Sequence, residues 1–303
     1  MTFPTLMTAM ATPFDTNGDL DLSAAQSLAD HLVATGSQGL VVAGTTGESP
    51  SLTSAETLDL FRAVVQAVGG KAMVVAGTGK NDTAATIKAT KDAATTGVDG
   101  IMLVSPYYNR PNQLGLRRHF TASAGASDLP VMLYNIPSRT ACEIAPETLL
   151  DLATTVDTIV AGKDAVGDTA EAGWLANRAP DGFSILSGDD ANCLPLLSVG
   201  GVGLVSVAAH VVGQDLARMI QVFPTDPAAA RAIHWRLLPL FQALFTEPNP
   251  GPLKAALTLL GLPGGSLRLP MVPISTETMA VLQDALNVLS LSDHRPQPPQ
   301  EDL

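Results

Sequence analysis

Lysine is scarce in this chain of 303 residues, and one of its six lysines stands apart. Lys88 and Lys91 fall on a helical pattern, and Lys71 sits just ahead of an apolar run, so these three belong in solvent. Lys80 lies beyond a glycine turn near a helix start, and Lys254 sits in the C-terminal stretch. Only Lys163 ends an apolar strand-like run, Ile159-Val160-Ala161-Gly162-Lys163. An ammonium enclosed in such surroundings is desolvated, which lowers its pKa and frees the amine to attack a carbonyl. That is the requirement for Schiff-base chemistry. The competing reading is a strand-end lysine paired with Asp164 or Glu48, and position alone leaves the two even.

Other side chains could complete such a site. Thr45 and Thr46 could offer hydroxyl and backbone N–H groups to a carboxylate, or simply cap the next helix after a glycine turn. Tyr134 could relay protons, or line the core with a satisfied hydroxyl. Arg139, which follows Pro137-Ser138, could clamp a carboxylate through two N–H bonds, or form a surface ion pair. No histidine (31, 119, 210, 234 or 294) stands at metal-ligand spacing with another ligand, and no GxxxxGK[ST] phosphate loop occurs. No catalytic metal is expected.

The elements that must hold these residues recur. Short apolar runs at 6–11, 39–43, 72–76, 100–104, 130–134, 158–161, 183–186 and 203–208 alternate with amphipathic helical stretches. Runs such as Met73-Val74-Val75-Ala76 are apolar on successive residues, as in a parallel strand buried on both faces. Ser23 with Gln26, and Thr53 with Glu56, match the capping-box pattern. Asn81 and Asp82 open a helix that Gly97 closes. Eight strand–helix units predict a (β/α)8 TIM barrel at 1–224, in which the active site lies where the strands end. Residues 227–245, 252–260 and 275–289 are helical in pattern with no strand between them, predicting a C-terminal helical appendage over 225–292. The tail at 293–303 is rich in Pro, Gln and charge and is expected to be disordered.

Composition narrows the partners. The net charge is -12, and 46% of residues are hydrophobic but only 4% aromatic, so the core is built of aliphatic side chains. An acidic surface repels phosphate backbones and anionic lipids, which argues against nucleic-acid and membrane roles. Cys142 and Cys193 make no disulfide framework, and neither a signal peptide nor a membrane span is legible. A cytoplasmic protein acting on small molecules is expected.

Seven motifs in order then carry a resemblance: GTTGES (44–49), SPYYNRP (105–111), YNIPSRT (134–140), GKDAVGD (162–168), SGDD (187–190), EPNPGPLKAAL (247–257) and LRLPMVPI (267–274). Together they resemble the dihydrodipicolinate synthase / N-acetylneuraminate lyase family across nearly the whole chain. The resemblance implies that Lys163 is the Schiff-base lysine and that Tyr134 shuttles protons. Thr45 would link Tyr134 to Tyr108, which would come from the neighbouring subunit of a tight dimer. Thr46 would hold the pyruvate carboxylate, Arg139 the carboxylate of a second substrate, and Gly188 and Val205 would line the pyruvate pocket. Arg139 and the double threonine point to the branch that condenses pyruvate with L-aspartate 4-semialdehyde, giving 4-hydroxy-tetrahydrodipicolinate for diaminopimelate and lysine. The resemblance implies that no metal or organic cofactor is needed, since the lysine itself is the electron sink, and such enzymes are usually homotetramers, dimers of dimers.

Two other readings stay open at this stage. One is a pyruvate-dependent aldolase or dehydratase acting on a sugar acid, and the other is a non-catalytic keto-acid sensor. One departure from the family pattern bears on regulation. Lysine-inhibited members grip the feedback lysine with groups that correspond here to Ser54, Thr57 and Ala85, although Tyr107 and Asn81 remain. Weak or absent inhibition by lysine is expected.

Overall fold

The computed structural model describes residues 2–291. The expected tail at 293–303 lies outside them. Among the described residues, eight strands form one closed parallel barrel in chain order. They are β1 (Leu6–Ala9), β2 (Gly39–Val42), β3 (Met73–Gly77), β4 (Gly100–Val104), β5 (Val131–Asn135), β6 (Ile159–Asp164), β7 (Ser184–Ser187) and β8 (Gly203–Ser206). β1 pairs with both β2 and β8, so the sheet has no free edge. The (β/α)8 expectation holds.

Among the described residues, twelve α-helices surround and extend the barrel. Nine accompany the strands: α1 (Leu22–Ala34), α2 (Ser54–Val68), α3 (Thr83–Ala94), α4 (Gln113–Ala124), α5 (Pro137–Thr140), α6 (Pro146–Thr155), α7 (Thr169–Ala176), α8 (Cys193–Ser198) and α9 (Ala209–Val222). Three follow without an intervening strand: α10 (Pro227–Ala243), α11 (Gly251–Leu259) and α12 (Thr276–Val288). Burial follows the parallel-strand logic. One apolar cluster fills the barrel interior with Met7, Val41, Val75, Met102, Met132, Ala161, Leu186 and Val205. A second, larger cluster fills the layer between the barrel and its helices.

Local signals fared unevenly. Thr53 and Glu56 form the reciprocal capping box at the start of α2. The box expected from Ser23 and Gln26 does not form. Asp21 caps α1 instead, accepting from the Ala24 N–H, so the helix starts at Leu22 and Ser23 already lies inside its first turn. Asp82 caps α3, and Gly97 follows two residues beyond the C-cap Thr95 with φ +89°. The run expected at 158–161 continues to Asp164, so Lys163 belongs to strand β6 and not to the loop after it.

Candidate active site

Strand geometry alone brings Lys163 and Tyr134 together. Side chains alternate along a strand, so Lys163 continues the inward-facing row begun by Ala161, and Tyr134 continues the row of Met132. The register of β5 and β6 shifts once, between Val131 and Met132, and beyond that shift Tyr134 stands directly opposite Lys163. The Lys163 ammonium lies 4.1 Å from the centre of the Tyr134 ring. Both side chains are buried, at 5% and 4% exposure.

Burial acts oppositely on the two. Desolvation pulls the Lys163 amine down to about 7, against an opposing pull from the Asp190 carboxylate and with help from the Arg139 charge. Desolvation pushes the Tyr134 phenol up to about 12, partly offset by the Arg139 charge and a hydrogen bond with Thr45. Asp190 is itself buried and held near pH 6 by desolvation, while Ser206 Oγ and the N–H groups of Val207 and Ala208 donate to it. Asp190 thereby ties the end of β8 to the loop after β7. Glu48, one alternative partner for Lys163, is engaged elsewhere: its carboxylate pairs with Lys254 at 2.6 Å.

The remaining predicted residues ring this pair. Gly188 follows β7, and its N–H donates to the Asp164 carbonyl at 2.5 Å. A Cβ there would sit 3.0 Å from Lys163 Cε and from Ala165 Cβ, so the lysine stem occupies room that only glycine leaves. Val205 lies on β8 within the inner cluster. Arg139 stands exposed on α5, close enough for its charge to act on both Lys163 and Tyr134. Its loop is closed by a reciprocal pair, in which Asn135 Nδ2 donates to the Ile144 carbonyl and the Ile144 N–H donates to Asn135 Oδ1. Tyr108 is the exception. It lies after β4 at 89% exposure, on left-handed backbone with φ +73°.

Thr45 and Thr46 sit on a loop held from behind by charges whose role the sequence did not disclose. Lys254, on α11, donates to the carbonyls of Thr12 and Ser266 at 2.7 and 2.6 Å while pairing with Glu48. Arg268 grips Glu56 at 2.5 Å and the Ser51 carbonyl at 2.9 Å. Lys254 and Arg268 both lie over the Phe14 ring, at 4.6 and 4.1 Å. Thr12 Oγ1 donates to the Gly47 carbonyl at 2.7 Å, and Asn249 Nδ2 donates to Thr46 Oγ1 at 2.9 Å. The EPNPGPLKAAL segment was the available signal for Asn249 and Lys254, but helix pattern alone assigned them to the appendage and not to the site.

A separate cavity of about 310 Å³ opens outside the barrel mouth between α2 and α3. Ser54, Thr57, Asn81, Ala85 and Tyr107 line it together with Lys80 and Lys88. Among the described residues, no helix is long and apolar enough to cross a membrane, and no cluster of three or more acidic, cysteine or histidine side chains is placed to hold a metal ion.

Comparison with known proteins agrees with this geometry. The 4-hydroxy-tetrahydrodipicolinate synthase of Symbiobacterium thermophilum is 51% identical over 286 residues, covering 94% of this chain and 97% of its own. That of Bacillus subtilis is 47% identical over 290 residues, covering 95% and 100%. The crystal structure of the Cyanidioschyzon merolae enzyme with lysine bound superposes with a TM-score of 0.94 at 46% identity, over 95% of this chain and 99% of that one. Residues 2–289 match the dihydrodipicolinate synthetase family, and the chain belongs to it.

Proposed function

We propose that this protein is a 4-hydroxy-tetrahydrodipicolinate synthase, a Schiff-base lyase that condenses pyruvate with L-aspartate 4-semialdehyde. The observation that carries the reading is an amine with a pKa near 7 buried against a phenol at the mouth of a parallel barrel. In this reading Lys163 Nζ attacks the pyruvate ketone carbon. Tyr134 donates a proton to the oxygen, which departs as water and leaves a ketimine. Loss of a methyl proton gives the enamine, whose carbon bonds to the aldehyde carbon as the aldehyde oxygen takes a proton. The amino group of the second substrate then attacks the ketimine carbon and expels Lys163, closing the ring. The sum is one pyruvate plus one semialdehyde giving one cyclic product and one water.

Thr46 would hold the pyruvate carboxylate, Gly188 and Val205 its flank, and Arg139 at the entrance the carboxylate of the semialdehyde. Thr45 would pass protons between Tyr134 and the Tyr108 of a second copy. An aromatic at 89% exposure on left-handed backbone gains nothing for a lone chain, and this supports a site completed across a dimer. We place the enzyme in the cytoplasm as a homotetramer built from two such dimers.

The test is the initial rate with both substrates, coupled to a reductase that consumes the cyclic product. A rate of ~1 s⁻¹ or more that collapses in Lys163→Ala supports the reading. A pyruvate adduct trapped on Lys163 by borohydride, with no turnover of the semialdehyde, would move the acceptor to a sugar acid. Failure to trap any adduct would leave only keto-acid binding.

A further inference from the structure

A buried side chain just ahead of α11 reaches Thr46. Asn249, at 4% exposure, precedes α11 and touches Thr46 from 203 positions away in sequence. A hydroxyl has one proton to give and two lone pairs to receive with. Because Asn249 Nδ2 donates to Thr46 Oγ1, one lone pair is used and the hydroxyl proton stays available for another acceptor. Among the described residues no donor reaches Asn249 Oδ1, so its one bond is to this threonine.

The loop is secured independently, by Thr12 at the Gly47 carbonyl and by Lys254 at the Glu48 carboxylate. Asn249 is therefore free to govern the direction of one hydroxyl without carrying the loop. We propose that Asn249 is a positioning residue that presents the Thr46 hydroxyl as a donor to the substrate carboxylate, so that the C-terminal helices set the affinity for the keto acid. This rests on the reading of Thr46 as the carboxylate ligand. The opposite amide orientation would make Asn249 the acceptor and consume the threonine proton, and removing it would then leave pyruvate binding intact or improve it.

Full-length protein titrated with pyruvate and quenched into borohydride gives the half-saturating concentration for adduct formation on Lys163 by intact mass. Asn249→Ala is expected to raise that concentration about tenfold, equivalent to about 1.4 kcal/mol. The plateau of trapping and the KM for the aldehyde should stay within about twofold, which a general loss of structure would not allow. Thr46→Val should raise it comparably, and the double variant should be no worse than the weaker single variant. Asn249→Asp keeps the shape but offers only acceptors, and should weaken pyruvate at least as much as alanine does. A shift below about twofold in either Asn249 variant, or effects that multiply in the double variant, would overturn the proposal. Absence of any adduct in the unsubstituted protein would overturn the Schiff-base reading beneath it.

Discussion

The activation of Lys163 by burial makes a quantitative demand on pH. An ordinary lysine titrates at 10.5, and this one is drawn to about 7. At pH 7 about half of its molecules carry a free amine, against roughly 0.03% for the solvated group, a gain of about 1,500-fold. The rate of adduct formation with pyruvate alone should therefore rise about tenfold per pH unit well below 7 and level off near 8. Because the folded pKa is depressed, protonation on the acid side removes the nucleophile. Arg139 contributes to the depression through its charge. Arg139→Gln removes a positive neighbour, makes the ammonium easier to form, and should move the acid limb to higher pH. The assay mixes enzyme and pyruvate at each pH, quenches at timed intervals into borohydride at one fixed pH, and reads the adduct by mass. A limb still climbing beyond pH 9 would refute the reasoning, since the amine would then be solvated. A limb unmoved in Arg139→Gln would remove Arg139 from the electrostatics of the site.

Other consequences are open to direct test. Lys254→Met removes the cation paired with the Glu48 carboxylate, whose side chain is only 3% exposed and, among the described residues, keeps just the Arg268 backbone N–H as a donor. It should cost about 3–5 kcal/mol of unfolding free energy by denaturant titration, and a loss under about 1 kcal/mol would contradict the buried-pair assignment. L-lysine should inhibit weakly or not at all, since among the described residues the cavity of Ser54, Thr57 and Ala85 has no carboxylate for the ammonium beyond Asp92, already paired with Lys88 at 2.6 Å. The missing charge-assisted contact is worth ~2–3 kcal/mol, or roughly 30- to 150-fold in affinity, and low-micromolar inhibition would refute this. Tyr108→Phe should slow turnover while leaving borohydride trapping by pyruvate at its normal half-saturation. Equal loss of both would place the residue in pyruvate binding instead.

The barrel was legible because its strands are apolar on successive residues and end in polar, glycine-bearing loops. Lys163 was legible for the same reason, being the only lysine to end such a run. The register shift that puts it level with Tyr134 was not, because a shift between neighbouring strands leaves no mark in either sequence. Nor was the Glu48–Lys254 pair. A lone lysine in a helix resembles any solvated one until tertiary packing brings α11 against Phe14 and Thr12. The Ser23–Gln26 box failed because Asp21 starts α1 two residues earlier than that pattern places it, leaving Ser23 inside the first turn. The Thr53–Glu56 box, fixed between neighbours in sequence, could be anticipated, and contacts made across two hundred positions could not.

One physical cause divides the labour at the site. Free lysine and free tyrosine titrate at nearly the same pH, 10.5 and 10.0. In water neither would serve as nucleophile or as a firmly protonated acid better than the other. Burial penalises whichever form is charged: the cation for Lys163, the anion for Tyr134. The same dry barrel mouth thus lowers one to about 7 and raises the other to about 12. At neutral pH the amine is available to attack while the phenol keeps its proton to give to the departing oxygen. Water admitted to the mouth would draw both values back toward each other, so the packing of Gly188 against the lysine stem bears on acid and base together. Gly188→Ala should displace the lysine stem and bring the two limbs of the pH profile closer together, the Lys163 limb moving to higher pH and the Tyr134 limb to lower pH. A variant that shifted only the Lys163 limb would show that the two groups are desolvated independently.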